Sequence, residues 1–184
     1  MSTIDRAGKQ SNIRPVPEGY QTASPYLIVA DAAAALEFYR RAFGATLKRR
    51  LAMPDGKIMH AEMKIGNSIV MFADEFPSHG AFSPEHFGGS PASIVLCVGN
   101  ADALYAQALA AGATSLRPMA DQPFGDRSGT IRDLFGHRWT LTTHIEDISD
   151  EEIERRFAAM MSGGKNADRG RSGQARPPAQ RRTL

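Results

Sequence analysis

The chain has 184 residues, 42% of them hydrophobic, with a formal net charge of +2 and a single cysteine. That length and apolar content allow one substantial core, while the longest apolar runs, 26–30 and 94–98, fall far short of the ~20 helical residues that cross a bilayer, and a lone thiol excludes an internal disulfide. From Ser162 onward six basic residues stand against Asp168 alone, which leaves the tail at +5 and the rest of the chain at −3, so the globular part has no basic, aromatic-interleaved surface of the nucleic-acid kind.

Residues 1–20 carry charges and prolines where a secretory signal needs an apolar run, which predicts a flexible leader and a cytoplasmic protein. A domain is expected over 21–161. Its first module, 23–74, opens with a strand over 26–30. Asp31 follows as a helix N-cap, able to accept from orphan N–H groups. Leu36, Tyr39 and Phe43 give the helix one apolar stripe, and Gly44 stands where a left-handed residue ends it. Segments 45–53 and 57–65 are joined by Pro54-Asp55-Gly56, and 57–65 and 68–74 by Gly66-Asn67, both hairpin signals. The order is β-α-β-β-β.

A linker over 75–92 places Phe76, Phe82 and Phe87 among Gly, Pro and Ser. It exceeds the length of an ordinary structureless connection, and its aromatic content predicts packing over the sheet. The second module, 93–146, repeats the first: Asn100 stands for Asp31, Gly112-Ala113 for Gly44-Ala45, and Leu104, Ala108 and Ala111 form the stripe. The run FGHRWTLT (135–142) matches IGNSIVMF (65–72), pairing Gly66 with Gly136. Cys97, in an apolar strand-like run, is expected to be buried and inert. Ser149 and Glu152 form a capping box that predicts a short terminal helix over 149–161, packing on the rim or on a partner. The tail 162–184, rich in Gly, Pro and Arg, has too little apolar content to offset its ordering entropy and is expected to be disordered.

Two βαβββ copies, with V-x-D before the first helix and F-G-H-x-W near the end, resemble the vicinal-oxygen-chelate (VOC) superfamily of glyoxalase I, extradiol dioxygenases, fosfomycin-resistance proteins and bleomycin-binding proteins. SPYLIVADAAAALEFYRRAFGA, KIMHAEMKIGNSIVMFADE and FGDRSGTIRDLFGHRWTLTTHIEDIS with the following EEI are similar to the PhnB-like subgroup, from Ala23 to Arg156. Leu134 departs from the proline usual there. The resemblance implies an α+β fold: two tandem βαβββ modules in a curved, mostly antiparallel sheet, a glyoxalase-like cup or barrel, plus a C-terminal helix. It also implies a small-molecule ligand and a homodimer, with no specific nucleic acid and no membrane partner.

Superfamily chemistry uses a divalent metal as a Lewis acid toward two adjacent substrate oxygens, held by His and Glu from both modules. Carried over by position, the glyoxalase-type ligand places fall on Ser24, Val70, Ser93 and Thr140. None has a metal-binding side chain, so no cofactor is expected. His60 and Glu62, on one strand face by the two-residue alternation, are the candidates for a relocated metal or for acid–base catalysis; the competing reading gives Glu62 and Lys64 a solvated face or a pairing with Arg49. His137 reads as a turn anchor, and His144 as a surface partner of Glu146 and Asp147.

Within FGDRSG, Asp126 and Arg127 either set a guanidinium fork at the cup mouth for carboxylate or phosphonate oxygens, or pair structurally to hold the loop against Asp133. Tyr26, Phe72, Phe124 and Trp139 are expected as ligand-binding walls. Three functions follow: metal-free binding of a small organic or anionic molecule; a divergent lyase, isomerase or dioxygenase using His60 and Glu62; or a dimeric regulatory module recruiting partners through sheet edges and the basic tail. A methyltransferase label used in the subgroup finds no support, since no Gly-rich strand-to-helix nucleotide loop is present.

Overall fold

The computed structural model describes residues 14–169; most of the expected leader and the last part of the basic tail lie outside the described residues. Each module begins with a strand and a capped helix. In module one β1 (Tyr26–Val29) leads into α1 (Ala32–Phe43), and in module two β5 (Ser93–Cys97) leads into α2 (Ala101–Ala110). Both caps are as the sequence predicts: Asp31 Oδ1 accepts from Ala34 N and Asn100 Oδ1 from Ala103 N, each at 2.9 Å. Gly44 ends α1 at φ 63°, a left-handed conformation open to glycine at no steric cost.

Three antiparallel-linked strands complete each copy: β2 (Thr46–Ala52), β3 (Ile58–Ile65) and β4 (Ser68–Asp74), then β6 (Thr114–Asp121), β7 (Asp126–Arg132) and β8 (Arg138–His144). The result is two four-stranded sheets, ordered β1-β4-β3-β2 and β5-β8-β7-β6. In each, the first and last strands pair in parallel and the other pairs are antiparallel. The duplication is thus repeated strand for strand, as the α+β expectation requires; the sheets do not close into a barrel.

One face of each sheet is covered by helix. Leu27, Val29, Met63, Val70 and Phe72 from the first sheet and Ile131, Trp139 and Leu141 from the second join Phe38, Tyr39 and Phe43 of α1 in a single core. Phe43 and Trp139 ring centroids lie 4.7 Å apart, so the first helix packs directly on the second module. Because strand side chains alternate, the residues between these point to the opposite, open face. Anchors at the helix starts also repeat: Ala32 N donates to Asp74 Oδ1 (2.7 Å) and Ala101 N to Thr143 Oγ1 (2.8 Å).

The linker packs in two short 3-10 turns, Pro77–His79 and Pro84–Phe87, with Phe82 and His86 rings stacked 4.0 Å apart. The terminal helix, α3 (Asp150–Arg169), runs past the expected stop at Met161 into the first residues of the expected disordered tail. Ser149 Oγ accepts from Glu152 N as its cap. Among the described residues no helix is long and apolar enough to cross a membrane.

Candidate functional site

The open face of the second sheet is lined by hydroxyls. Ser93, Thr140 and Thr130 sit side by side on β5, β8 and β7: Ser93 Oγ and Thr140 Oγ1 are 3.1 Å apart, and Thr140 Oγ1 and Thr130 Oγ1 3.2 Å. Two of the four carried-over ligand places, Ser93 and Thr140, therefore do converge, but as neutral hydroxyls bonded to one another. Further along the same face Thr142 Oγ1 donates to Asp126 Oδ2 (3.2 Å), and His144 Nδ1 lies 2.8 Å from Asp126 Oδ1. Apolar side chains stay exposed beside this row, with Val95 56% accessible and Leu116 41%. Such a surface can hydrogen-bond a small molecule and shield its apolar part.

On the open face of the first sheet, Glu62 is only 3% exposed. It accepts from Tyr20 Oη, sits 3.0 Å from His60 Nε2 and has Arg49 Nη1 at 3.8 Å. Burial alone would push this carboxyl up, yet the Tyr20 and His60 hydrogen bonds and the Arg49 charge outweigh it and hold Glu62 below the usual carboxylate range. Tyr26 Oη lies 3.2 Å from His60 Nδ1. Tyr26, His60 and Glu62 thus form one connected set, with Tyr26 at its exposed end. Tyr20 belongs to the described end of the leader, which docks here rather than hanging free: Lys48 Nζ stands 3.8 Å above the Tyr20 ring.

Several expected site residues lie elsewhere. Phe72 and Trp139 are fully buried on the helix side, edge-on to Tyr39, and are core rather than cavity walls. Alternation gave their spacing but not which face a helix would cover. Arg127 also faces the helices: Nε and Nη2 bind Asp102 of α2 and Nη1 binds Asp121, all at 2.8 Å, so the fork is spent on clamping α2. It pairs with neither Asp126 nor Asp133. Phe124 is exposed at the turn entering β7. Cys97 is exposed on the open face, because its strand is covered on one side only.

Val70 requires a second correction. Tyr26 pairs with Met71 and Val95 with Thr140, so the first-module counterpart of Thr140 is Met71, not Val70. The β7–β8 turn holds one residue more than the β3–β4 turn, since Glu62 faces Met71 but Thr130 faces Thr140. Matching the two turn glycines shifted the register by one and turned the side chain onto the wrong face; Val70 is buried in the core.

The four places are therefore Ser24, Met71, Ser93 and Thr140. Ser24 Oγ is buried without a hydrogen-bond partner among the described residues. Three neutral hydroxyls and a thioether supply no charged or imidazole donor, and a divalent cation of the superfamily type does not fit this set. Among the described residues no three His, Cys, Asp or Glu side chains gather into a metal shell. Sequence reasoning missed Thr130 and Tyr20, and named Asp133 only as a brace for the preceding loop, whereas its carboxylate collects four donors: Phe135 N, His137 N, Tyr39 Oη and Trp139 Nε1. The D-x-F-G-H spacing of an Asp before a tight turn was the available signal for Asp133.

A profile of the Glyoxalase/Bleomycin resistance protein/Dioxygenase superfamily matches residues 21–141. An uncharacterized protein of Mycobacterium tuberculosis is 41% identical over 164 residues, spanning 88% of this chain and 95% of that protein. The crystal structure of TioX from Micromonospora sp. ML1 superposes with a TM-score of 0.55 at 30% identity, covering 66% of this chain and 97% of TioX. A PhnB protein from Bacillus cereus has the same fold, with a TM-score of 0.53 at 21% identity over 67% of this chain and 99% of that one.

Proposed function

The chain belongs to the glyoxalase/bleomycin resistance protein/dioxygenase superfamily, and from that premise we propose that it binds a small organic anion, without a metal, on the open face of its second module. The observation that carries this reading is the hydroxyl row in which Ser93 and Thr140 stand at places where relatives of the fold would hold cation ligands and the buried Thr130 backs Thr140. Hydroxyls both donate and accept, so the row can rotate to suit either the oxygens or the N–H groups of a ligand. Val95 and Leu116 offer apolar contact beside it. A homodimer in the cytoplasm belongs to the same reading; Phe157, Met160 and Met161 leave an apolar stripe exposed on α3 that a second copy would cover.

The test is a thermal-shift screen of small organic acids with EDTA present, repeated with zinc, nickel, manganese and iron. The expected result is ligands that raise the melting temperature equally in both series and lose the effect in Thr140→Val. Tight stoichiometric metal uptake, or hits only with metal present, overturns it.

A second reading is favoured by the Tyr26–His60–Glu62 set. A carboxylate that fixes one imidazole nitrogen while the other meets a phenol is an arrangement for general acid–base work. If this set moves protons in a reaction on a vicinal-oxygen substrate, His60→Ala abolishes turnover without moving the melting temperature; a fall in stability with unchanged turnover makes it structural.

A further inference from the structure

Where β7 turns into β8, arginines from three strands meet at one cleft. Arg117 on β6, Arg132 on β7 and Arg138 on β8 line a cavity of about 360 Å³, together with Gly89 and Ser90 of the linker. None of the three has a carboxylate within 4.0 Å among the described residues, whereas Arg127 and Arg156 each hold two. The adjoining cavity contains Glu85 and Asp133, but Asp133 is already saturated by its four donors. Arg138 Nε is buried with no hydrogen-bond partner among the described residues. Guanidiniums that share a cleft repel one another, and an orphaned buried N–H costs its full desolvation. An anion in the cleft relieves both.

We propose that this cleft takes a tetrahedral oxyanion, the phosphate or phosphonate group of a small molecule. The shape of the site separates this from a carboxylate. A carboxylate holds its two oxygens and their lone pairs in one plane, while a phosphonate presents three oxygens in three directions and can meet forks from three strands at once. The inference rests on the reading of the second module as the binder of an organic anion, and it assigns the anionic end of that ligand to the arginine cleft and the organic part to the hydroxyl row.

Inorganic phosphate, phenylphosphonate, acetate and a single-stranded oligonucleotide are titrated calorimetrically into the full chain. Phosphate and phenylphosphonate bind one per chain and acetate far more weakly. Arg132→Gln and Arg138→Gln each weaken phosphate by about tenfold or more, the usual worth of a charge-assisted bidentate contact, and Arg138→Lys, which keeps charge but loses the fork, does not restore it. Arg117 and Arg132 are exposed, so Arg117→Gln and Arg132→Gln report on binding with the melting temperature unchanged. Phosphate binding indifferent to all three arginines, acetate binding equally well, or an oligonucleotide binding much more tightly than phosphate overturns the proposal. If phosphate binding follows the arginines but Thr140→Val leaves phenylphosphonate affinity untouched, the cleft stands and the hydroxyl-row reading falls.

Discussion

Tyr39, on the helix of the first module, donates its hydroxyl to Asp133 of the second module at 2.9 Å, and both are buried. Burial and the nearby Asp133 charge push the phenol well above its ordinary value, so it remains a donor at every working pH. Asp133 also accepts from Trp139 Nε1 at 2.8 Å. Removing the carboxylate strands Tyr39 Oη, Trp139 Nε1 and two backbone N–H groups. Asp133→Ala is expected to cost about 3 kcal/mol or more, against about 1 kcal/mol for Tyr39→Phe, which leaves Asp133 three donors. Urea unfolding of the two variants measures the difference; equal losses would show that the carboxylate has no special place in joining the modules.

Two glycines separate conformational from steric need. Gly44 and Gly125 both have positive φ, 63° and 83°. A Cβ on Gly44 meets nothing within 4 Å, but one on Gly125 would sit 2.2 Å from Glu146 O, a backbone atom that cannot swing aside. Gly44→Ala is expected to cost about 1 to 2 kcal/mol for the left-handed backbone alone. Gly125→Ala should cost clearly more and disturb the turn where Ile145 N and Glu146 N donate to Gly125 O. Chemical denaturation with amide exchange at Ile145 and Glu146 checks both statements.

Arg127 offers a test of its reassignment from ligand contact to clamp. Its three bonds to Asp102 and Asp121 are solvent-exposed and screened, so Arg127→Gln is expected to lower stability only slightly. Phosphate and phenylphosphonate affinities should not move. A loss of affinity larger than the loss of stability, read by calorimetry beside thermal melts, would return Arg127 to the binding surface.

What the sequence made legible was local or repeated. Asp31 and Asn100 could be read as caps because a cap depends on three neighbouring residues. The second βαβββ unit could be read because it repeats the first. Faces were harder to assign. Phe72, Trp139 and Arg127 alternate correctly along their strands, but only tertiary packing decides which side α1 and α2 cover. The one extra residue in the β7–β8 turn shifted Val70 into a place that belongs to Met71. Arg117, Arg132 and Arg138 stand on three separate strands, so no spacing along the chain announced their cleft.

His144 makes the stability of this end of the sheet depend on pH. Its Nδ1 is 2.8 Å from Asp126 Oδ1 and its Nε2 2.9 Å from Asp147 Oδ1. These hydrogen bonds, Asp126 first, hold the imidazole above its ordinary value. A group whose folded value is raised stabilises the protein fully below its unfolded value, about 6.5, and that stabilisation is lost as pH rises through the folded value. The melting temperature of the native chain should therefore fall relative to His144→Gln as pH climbs from about 6 to about 8. Because the pair is exposed, 1 M salt should flatten the difference. A gap between the two proteins that stays constant or widens with pH would mean that the two aspartates do not hold a charged imidazole.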